Sequence, residues 1–138
     1  MPEPGSPHLP DYPGCWGCGP GSALGLVPPV AADGDHLRSV FALGPGHQGS
    51  PGAAHGGVLA ALLDEAFGTL VWRRVAGRHA TARQEVDFRA PLPLPATVAV
   101  DVWIAGRDGR KTWLTGRATN EDTELVVAEG RALFVRLR

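Results

Sequence analysis

The chain has 138 residues and a formal net charge of −1, with 43% hydrophobic and 20% charged residues, which is the composition of an ordinary globular domain. A charge this close to neutral gives no electrostatic reason to expect nucleic acid or an anionic membrane as a partner. No apolar run reaches the ~18–20 residues that a membrane-spanning helix needs. The N-terminus lacks the basic and apolar regions of a signal peptide. We therefore expect a single cytoplasmic domain.

The first 14 residues contain five prolines and two glycines, which predicts a flexible extension followed by one domain over residues 15–138. Cys15 and Cys18 then form a CxxC flanked by glycine and proline. Three interpretations stay open: a turn with small buried thiols, part of a metal site, or a redox pair. Only scattered histidines could complete a metal site, and the flanking residues do not suit a redox motif. We favour the turn and predict no metal.

The hydrophobic pattern predicts one helix and about six strands. Residues 24–27 and 36–43 read as strands, and Asp33-Gly34-Asp35 between them is typical of a hairpin turn. A Gly/Pro-rich loop over residues 44–54 leads into an apolar run that predicts a helix of about 18 residues, ending near Val75. Further strands are predicted at residues 80–88, 97–105, 111–120 and 125–135, connected mostly as a meander. The order predicts an α+β domain in which an antiparallel sheet of about six strands wraps around one long central helix.

The start of this helix carries the sequence His55-Gly56-Gly57. The first N–H groups of a helix have no partner inside the helix, and they lie at the positive end of its dipole. Such a position suits an oxyanion or a polarised carbonyl oxygen, and glycine allows the backbone to approach a ligand closely. We therefore predict that this end of the helix is part of an active site.

Two adjacent carboxylates, Asp64 and Glu65, interrupt the apolar run. At about 100° per residue, the bulky side chains fall on one side of the helix, and Asp64 falls on the other. The residues that share its stripe are Gly57, Ala60, Ala61, Gly68 and Val71. A solvated face would normally carry long polar side chains rather than small residues. We therefore predict a functional role for Asp64, with Glu65 as a weaker candidate for substrate contact.

Asp64 is seven residues beyond Gly57, which is about 10 Å along a helix that rises 1.5 Å per residue. A general base has to come within about 3 Å of the group that it deprotonates. One chain therefore does not easily bring its own Asp64 to its own helix N-terminus. Two antiparallel helices in a symmetric dimer bring Asp64 of one chain to Gly56-Gly57 of the other. The spacing predicts a shared site at a dimer interface.

Several motifs resemble one family. They are His55-Gly56-Gly57 with an acid nine residues after the histidine, Gln48-Gly49-x-x-Gly52-x-x-His55, Cys15-x-x-Cys18-Gly19 with Gly25-Leu26, and residues 86–92, VDFRAPL. In this order they resemble the hotdog-fold acyl-CoA thioesterases of the phenylacetate-degradation (4-hydroxybenzoyl-CoA thioesterase-like) type, over about residues 15–135. The resemblance implies a hotdog fold, a homodimer or homotetramer, and hydrolysis of acyl-CoA thioesters without a metal or organic cofactor.

The resemblance also implies roles for individual residues. The N–H of Gly56, or of Gly57, would bind the thioester carbonyl oxygen, and Asp64 of the partner chain would activate water or attack directly. His55 is a further candidate catalytic residue: we favour a role in shaping the loop by hydrogen bonding, and a role as base is the alternative. Some relatives carry a polar side chain six residues before the histidine to position the water or the carbonyl. That position is Gly49 here, so Gln48 or Ser50 would have to serve, or the role is absent.

Arg89, just before the proline turn, is the best candidate for contact with the nucleotide of CoA. Two other functions stay open beside thioester hydrolysis. One is a hotdog hydratase or dehydratase acting on acyl thioesters, although its longer motif is not found in the sequence. The other is a noncatalytic protein that binds acyl thioesters, because a fold does not determine a function.

Overall fold

The computed structural model describes residues 14–17 and 30–138. The predicted strand at residues 24–27, and the predicted N-terminal extension except Gly14, lie outside them. The described elements are β1 (Val30–Asp33), β2 (His36–Leu43), a short 3₁₀ turn (Pro45–His47), α1 (Gly56–Arg74), β3 (His79–Phe88), β4 (Ala96–Asp108), β5 (Lys111–Asn120) and β6 (Val126–Arg136). The predicted helix and the five predicted strands that fall within these residues are confirmed, two of the strands with the predicted bounds.

The six described strands form one antiparallel sheet in the order β1-β2-β4-β5-β6-β3. The turn at Asp33-Gly34-Asp35 is confirmed, with Gly34 in the left-handed region at φ +60°, but it joins β2 to β1, a strand that was not predicted. The predicted meander holds from β4 to β6 but is wrong for β3, which lies at the far edge of the sheet beside β6. Turn residues in a sequence indicate where a strand ends, but they do not indicate which strands pair in the sheet. In this sheet β4, rather than β3, pairs with β2.

Helix α1 packs against the inner face of this sheet and forms one core with it. The buried helix residues are Val58, Leu59, Leu62, Leu63, Ala66, Phe67, Thr69, Leu70 and Val71. They include every bulky residue that was predicted to face one side. Each fully buried Leu or Phe side chain contributes ~1.5–3 kcal/mol relative to an exposed one. In the described part of the chain, no helix is long and apolar enough to cross a membrane.

Two glycines allow the helix to approach the sheet closely. Gly116 of β5 and Gly130 of β6 are paired in register. A Cβ at Gly116 would lie 2.7 Å from Val102 Cγ1 and 3.1 Å from Phe67 Cε1, and a Cβ at Gly130 would lie 3.1 Å from Leu63 Cδ1. The absence of side chains at this pair lets Leu63 and Phe67 pack directly on the sheet.

The small-residue side of α1 departs from its prediction at one position. Val71 was predicted to share the stripe with Asp64, but only 2% of its surface is exposed. In projection Val71 lies about 40° from Phe67, at the border of the apolar side. It is therefore enclosed with that side, whereas Ala60, Ala61, Asp64 and Gly68 are only half-buried.

Candidate active site

The loop before α1 is fastened to two other segments. His55 N donates to His47 O at 2.8 Å, and Ala54 N donates to Leu92 O at 2.9 Å. Leu94 N donates in turn to Gly52 O at 2.9 Å. These bonds tie the start of the helix to the proline-rich segment that follows β3. The His-Gly-Gly sequence is thus presented on a fixed backbone.

His55 is the N-cap residue of α1. Its backbone is extended, at φ −66° and ψ 135°, and its Nδ1 accepts a hydrogen bond from Gly57 N at 2.8 Å. Because a backbone N–H can only donate, Nδ1 is the acceptor in this contact. The contact supports the prediction that His55 shapes the loop.

We expect His55→Ala to lower the free energy of unfolding by about 1 kcal/mol, because the cap of α1 is lost. His55→Asn should retain most of that stability, since an asparagine oxygen accepts from the same N–H. Thermal unfolding followed by circular dichroism gives the comparison, and thiol release from an acyl-CoA gives the activity of each variant. A stable His55→Asn variant without activity would mean that the imidazole takes part in the chemistry.

The same cap distinguishes between the two predicted backbone donors. Gly57 N–H is already bonded to His55, and Val58 N and Leu59 N both donate to His55 O, at 2.9 and 3.3 Å. Among the hydrogen bonds of the described residues, none uses the N–H of Gly56. Gly56 is therefore the better candidate to receive a carbonyl oxygen at the positive end of the helix.

Asp64 is held by a residue that sequence reasoning missed. Thr81 Oγ1 of β3 donates to Asp64 Oδ1 at 2.7 Å. Within residues 14–17 and 30–138, no hydrogen bond or ion pair uses Asp64 Oδ2. One carboxylate oxygen is thus oriented by the threonine, and the other is available to a water molecule. Sequence periodicity gave no signal for this contact, because the register of β3 shifts between Thr81 and Arg83.

The inward side of β3 follows the small-residue stripe of α1. Thr81 meets Asp64, Gln84 Nε2 donates to Ala60 O at 3.0 Å, and the Phe88 ring lies against Gly56. The three helix positions are four residues apart and therefore share one face. The small-residue stripe of α1 is therefore the face on which the side chains of β3 pack.

Of the predicted substrate contacts in the loop before His55, the side-chain oxygen of Gln48 is occupied by the loop itself, and contact through the Ser50 hydroxyl stays a prediction. Gln48 Oε1 accepts from Gly52 N at 2.9 Å, and Ser50 O accepts from Ala53 N at 3.0 Å in a turn where Gly52 has φ +78°. A Cβ at Gly49 would lie 2.9 Å from His55 Cα, so a side chain at this position would require the backbone to move. The packing explains why this chain has no polar side chain six residues before the histidine.

Glu65 and Arg89 lie away from the Thr81–Asp64 contact. The carboxylate of Glu65 packs against Gly17, where it leaves no room for a Cβ. Arg89 Nη2 is 3.0 Å from Glu129 Oε2 and 3.6 Å from Asp87 Oδ2. Contact of Glu65 with substrate and of Arg89 with the CoA nucleotide therefore stay predictions, and Arg89 would have to leave its acidic neighbours. In the two described segments, no three His, Cys, Asp or Glu side chains are grouped so that they could hold a metal ion.

A family model described as the Thioesterase superfamily matches residues 51–127, which is more than half of the chain. The chain belongs to the Thioesterase superfamily. The matched region runs from the loop before His55 into β6, and it includes Gly56, Asp64 and Thr81. The family predicted from the motifs is confirmed.

The relatives within the Thioesterase superfamily include acyl-coenzyme A thioesterase THEM4 of Bos taurus. It is 31% identical over 116 residues, covering 83% of this chain and 47% of the bovine protein. The chain thus spans about half the length of this curated relative.

Two solved structures share the fold. A crystal structure of another thioesterase superfamily protein is 33% identical with a TM-score of 0.68, covering 80% of this chain and 55% of the other. The structure of the E. coli PaaI protein, from the phenylacetic acid degradation operon, matches with a TM-score of 0.72 at 16% identity. The match covers 79% of this chain and 78% of the PaaI chain. The predicted hotdog fold is confirmed.

Proposed function

We propose that this chain is a cytoplasmic homo-oligomer that hydrolyses acyl-CoA thioesters to a free acid and CoA. One observation carries the proposal: α1 presents the uncommitted N–H of Gly56 at its positive end, and farther along the same face it presents the carboxylate of Asp64, oriented by Thr81. An electrophilic N–H and an oriented base are the two groups that thioester hydrolysis requires. The likeness to acyl-coenzyme A thioesterase THEM4 supports CoA esters as the substrate class.

The two groups belong to different chains in this proposal. Helix α1 runs without a break from Gly56 to Arg74, so Gly56 and Asp64 are eight residues apart. This spacing corresponds to about 12 Å along the helix axis. A water molecule that contacts Asp64 does not reach a carbonyl bound at Gly56 of the same chain. A complete site therefore combines Gly56 of one chain with Asp64 of its partner.

The exposed edge strand of the sheet provides a surface through which two chains could form this shared site. Among the described strands, β3 pairs with β6 alone, so its other edge is open to a second β3. Because Phe88 lies against Gly56 and Thr81 bonds to Asp64, the shared site needs Phe88 to lie across from the partner's Thr81. Because the register of β3 shifts by one residue between Thr81 and Arg83, this antiparallel pairing places the two-fold axis at Glu85, near the middle of β3. A tetramer would then be a pair of such dimers.

The reaction follows from this arrangement. The thioester carbonyl oxygen accepts a hydrogen bond from Gly56 N–H and is polarised by the helix dipole. The partner's Asp64 takes a proton from water through Oδ2, and the water oxygen attacks the carbonyl carbon. The C–S bond then breaks and CoA leaves as a thiolate, which needs no strong acid. Direct attack by Asp64, which would form an anhydride that water opens, uses the same groups.

Thiol release across a panel of acyl-CoA esters tests the proposal. We expect at least one ester to yield free CoA with multiple turnovers per chain, measured with a thiol-reactive dye. A noncatalytic binding protein would bind the esters without releasing thiol. A hydratase would change the absorbance of an enoyl thioester and likewise release none. Carrier-protein thioesters in the same assay establish which carrier is preferred.

A further inference from the structure

Phe88 is an exposed aromatic residue beside the proposed oxyanion donor. It exposes 56% of its surface, although it belongs to the inward row of β3 that follows the helix. Its ring atoms Cε1 and Cζ lie 3.4 and 3.5 Å from the position of a Cβ on Gly56. The ring therefore lies beside Gly56, at the N-terminal end of α1.

A carbonyl oxygen bonded to Gly56 N–H lies about 2.9 Å from the nitrogen, which brings the carbonyl carbon and its two substituents close to this ring. One substituent is the acyl chain and the other is the sulfur of the pantetheine arm. The pantetheine arm carries amide and hydroxyl groups that need hydrogen-bond partners, and a phenyl ring offers none. An apolar acyl chain has no such requirement and gains free energy by covering the ring.

We propose that Phe88 is a specificity-determining residue that forms an apolar wall for the acyl chain next to the thioester carbonyl. The inference rests on the proposed function and deepens it: the preferred substrates carry an apolar acyl group of several carbons rather than an acetyl group. In the β3 pairing described above, Phe88 faces the partner's Thr81, flanked by Ala80 and Ala82. These short side chains do not cover a phenyl ring, so the wall stays open to substrate.

The test uses Phe88→Ala with non-hydrolysable thioether analogues of acetyl-CoA and hexanoyl-CoA, measured by titration calorimetry. We expect Phe88→Ala to weaken binding of the hexanoyl analogue about tenfold, and that of the acetyl analogue less than about threefold. Phe88→Leu should lie between the wild type and Phe88→Ala. Leu125→Ala is the matched control, because Leu125 is an exposed apolar residue in the turn after β5, and we expect it to change neither affinity.

The same loss for both analogues, or no loss for either, would overturn the proposal. Sedimentation of the variants separates a rival role: if Phe88→Ala dissociates the oligomer without selective loss of the hexanoyl analogue, the partner chain covers the ring. Because binding is measured without turnover, the result does not depend on hydrolysis. If the wild-type chain binds both analogues but releases no thiol from acyl-CoA, the proposed function is contradicted. The affinities of the Phe88 variants still determine whether Phe88 contacts the acyl chain.

Discussion

Asp64→Asn is expected to lower kcat for a preferred acyl-CoA by about a thousandfold, within the range typical of a lost general base. The amide keeps the size of the side chain and an oxygen that accepts from Thr81 Oγ1, so the 2.7 Å contact with β3 survives. It does not accept a proton from water. We therefore expect KM and the melting temperature to stay close to the wild-type values. Thiol-release kinetics give kcat and KM, and thermal unfolding of the same preparation gives the melting temperature.

The adjacent carboxylate offers a matched control. Glu65 is the next residue on α1, and its side chain packs against Gly17. We expect Glu65→Gln to keep kcat within about threefold of the wild type, since it removes a charge without touching the Thr81–Asp64 pair. Near-wild-type hydrolysis by Asp64→Asn would show that Asp64 is not the base, and an equal loss in Glu65→Gln would show that the loss is not specific to Asp64.

The sequence was sufficient for features that depend on local periodicity. The buried side of α1 follows from the spacing of Leu59, Leu62, Leu63 and Phe67, because a 3.6-residue repeat determines which side chains share a face. The bounds of β2 follow from strict alternation, which the burial of its residues reproduces. The fold class then follows, because one apolar helix and several amphipathic strands have few ways to cover each other.

Features that depend on pairing between distant segments were not predictable. The sequence around residues 79–88 contains no signal that this strand lies at the far edge of the sheet and pairs with β6. The register shift between Thr81 and Arg83 changes which side chains of β3 face the helix. Without that shift, neither the Thr81–Asp64 bond nor the position of Phe88 against Gly56 follows from alternation.

The choice between Gly56 and Gly57 needed the structure for a different reason. Sequence identifies both as N–H donors near the start of a helix, and their side-chain chemistry is identical. The difference arises because His55 Nδ1 binds the N–H of Gly57 and none of the described hydrogen bonds uses that of Gly56. Because His55 binds the N–H groups of Gly57, Val58 and Leu59, the N–H of Gly56 is the one at the start of α1 that the described hydrogen bonds leave open.

Gly56→Pro removes this donor at a position that tolerates proline. Gly56 is the first residue of α1, where proline is accepted, and His55 already has the extended backbone that a residue before proline adopts. We expect a folded protein whose kcat/KM falls by about 10²–10³, as for other enzymes that lose one oxyanion-hole donor. Gly56→Ala is the matched control, since it adds a Cβ at ordinary contact distance from Phe88 and keeps the N–H.

Mixing Asp64→Asn with Gly56→Pro tests whether the site is shared. A mixed dimer contains one site with both groups intact, built from Gly56 of the first variant and Asp64 of the second, and one site that lacks both. With random exchange half of the dimers are mixed, so the pool should regain about a quarter of the wild-type rate. Native mass spectrometry of differently tagged chains verifies the exchange. If each chain held its own complete site, every chain in the mixture would still lack one group, and the rate would stay at the level of the separate variants.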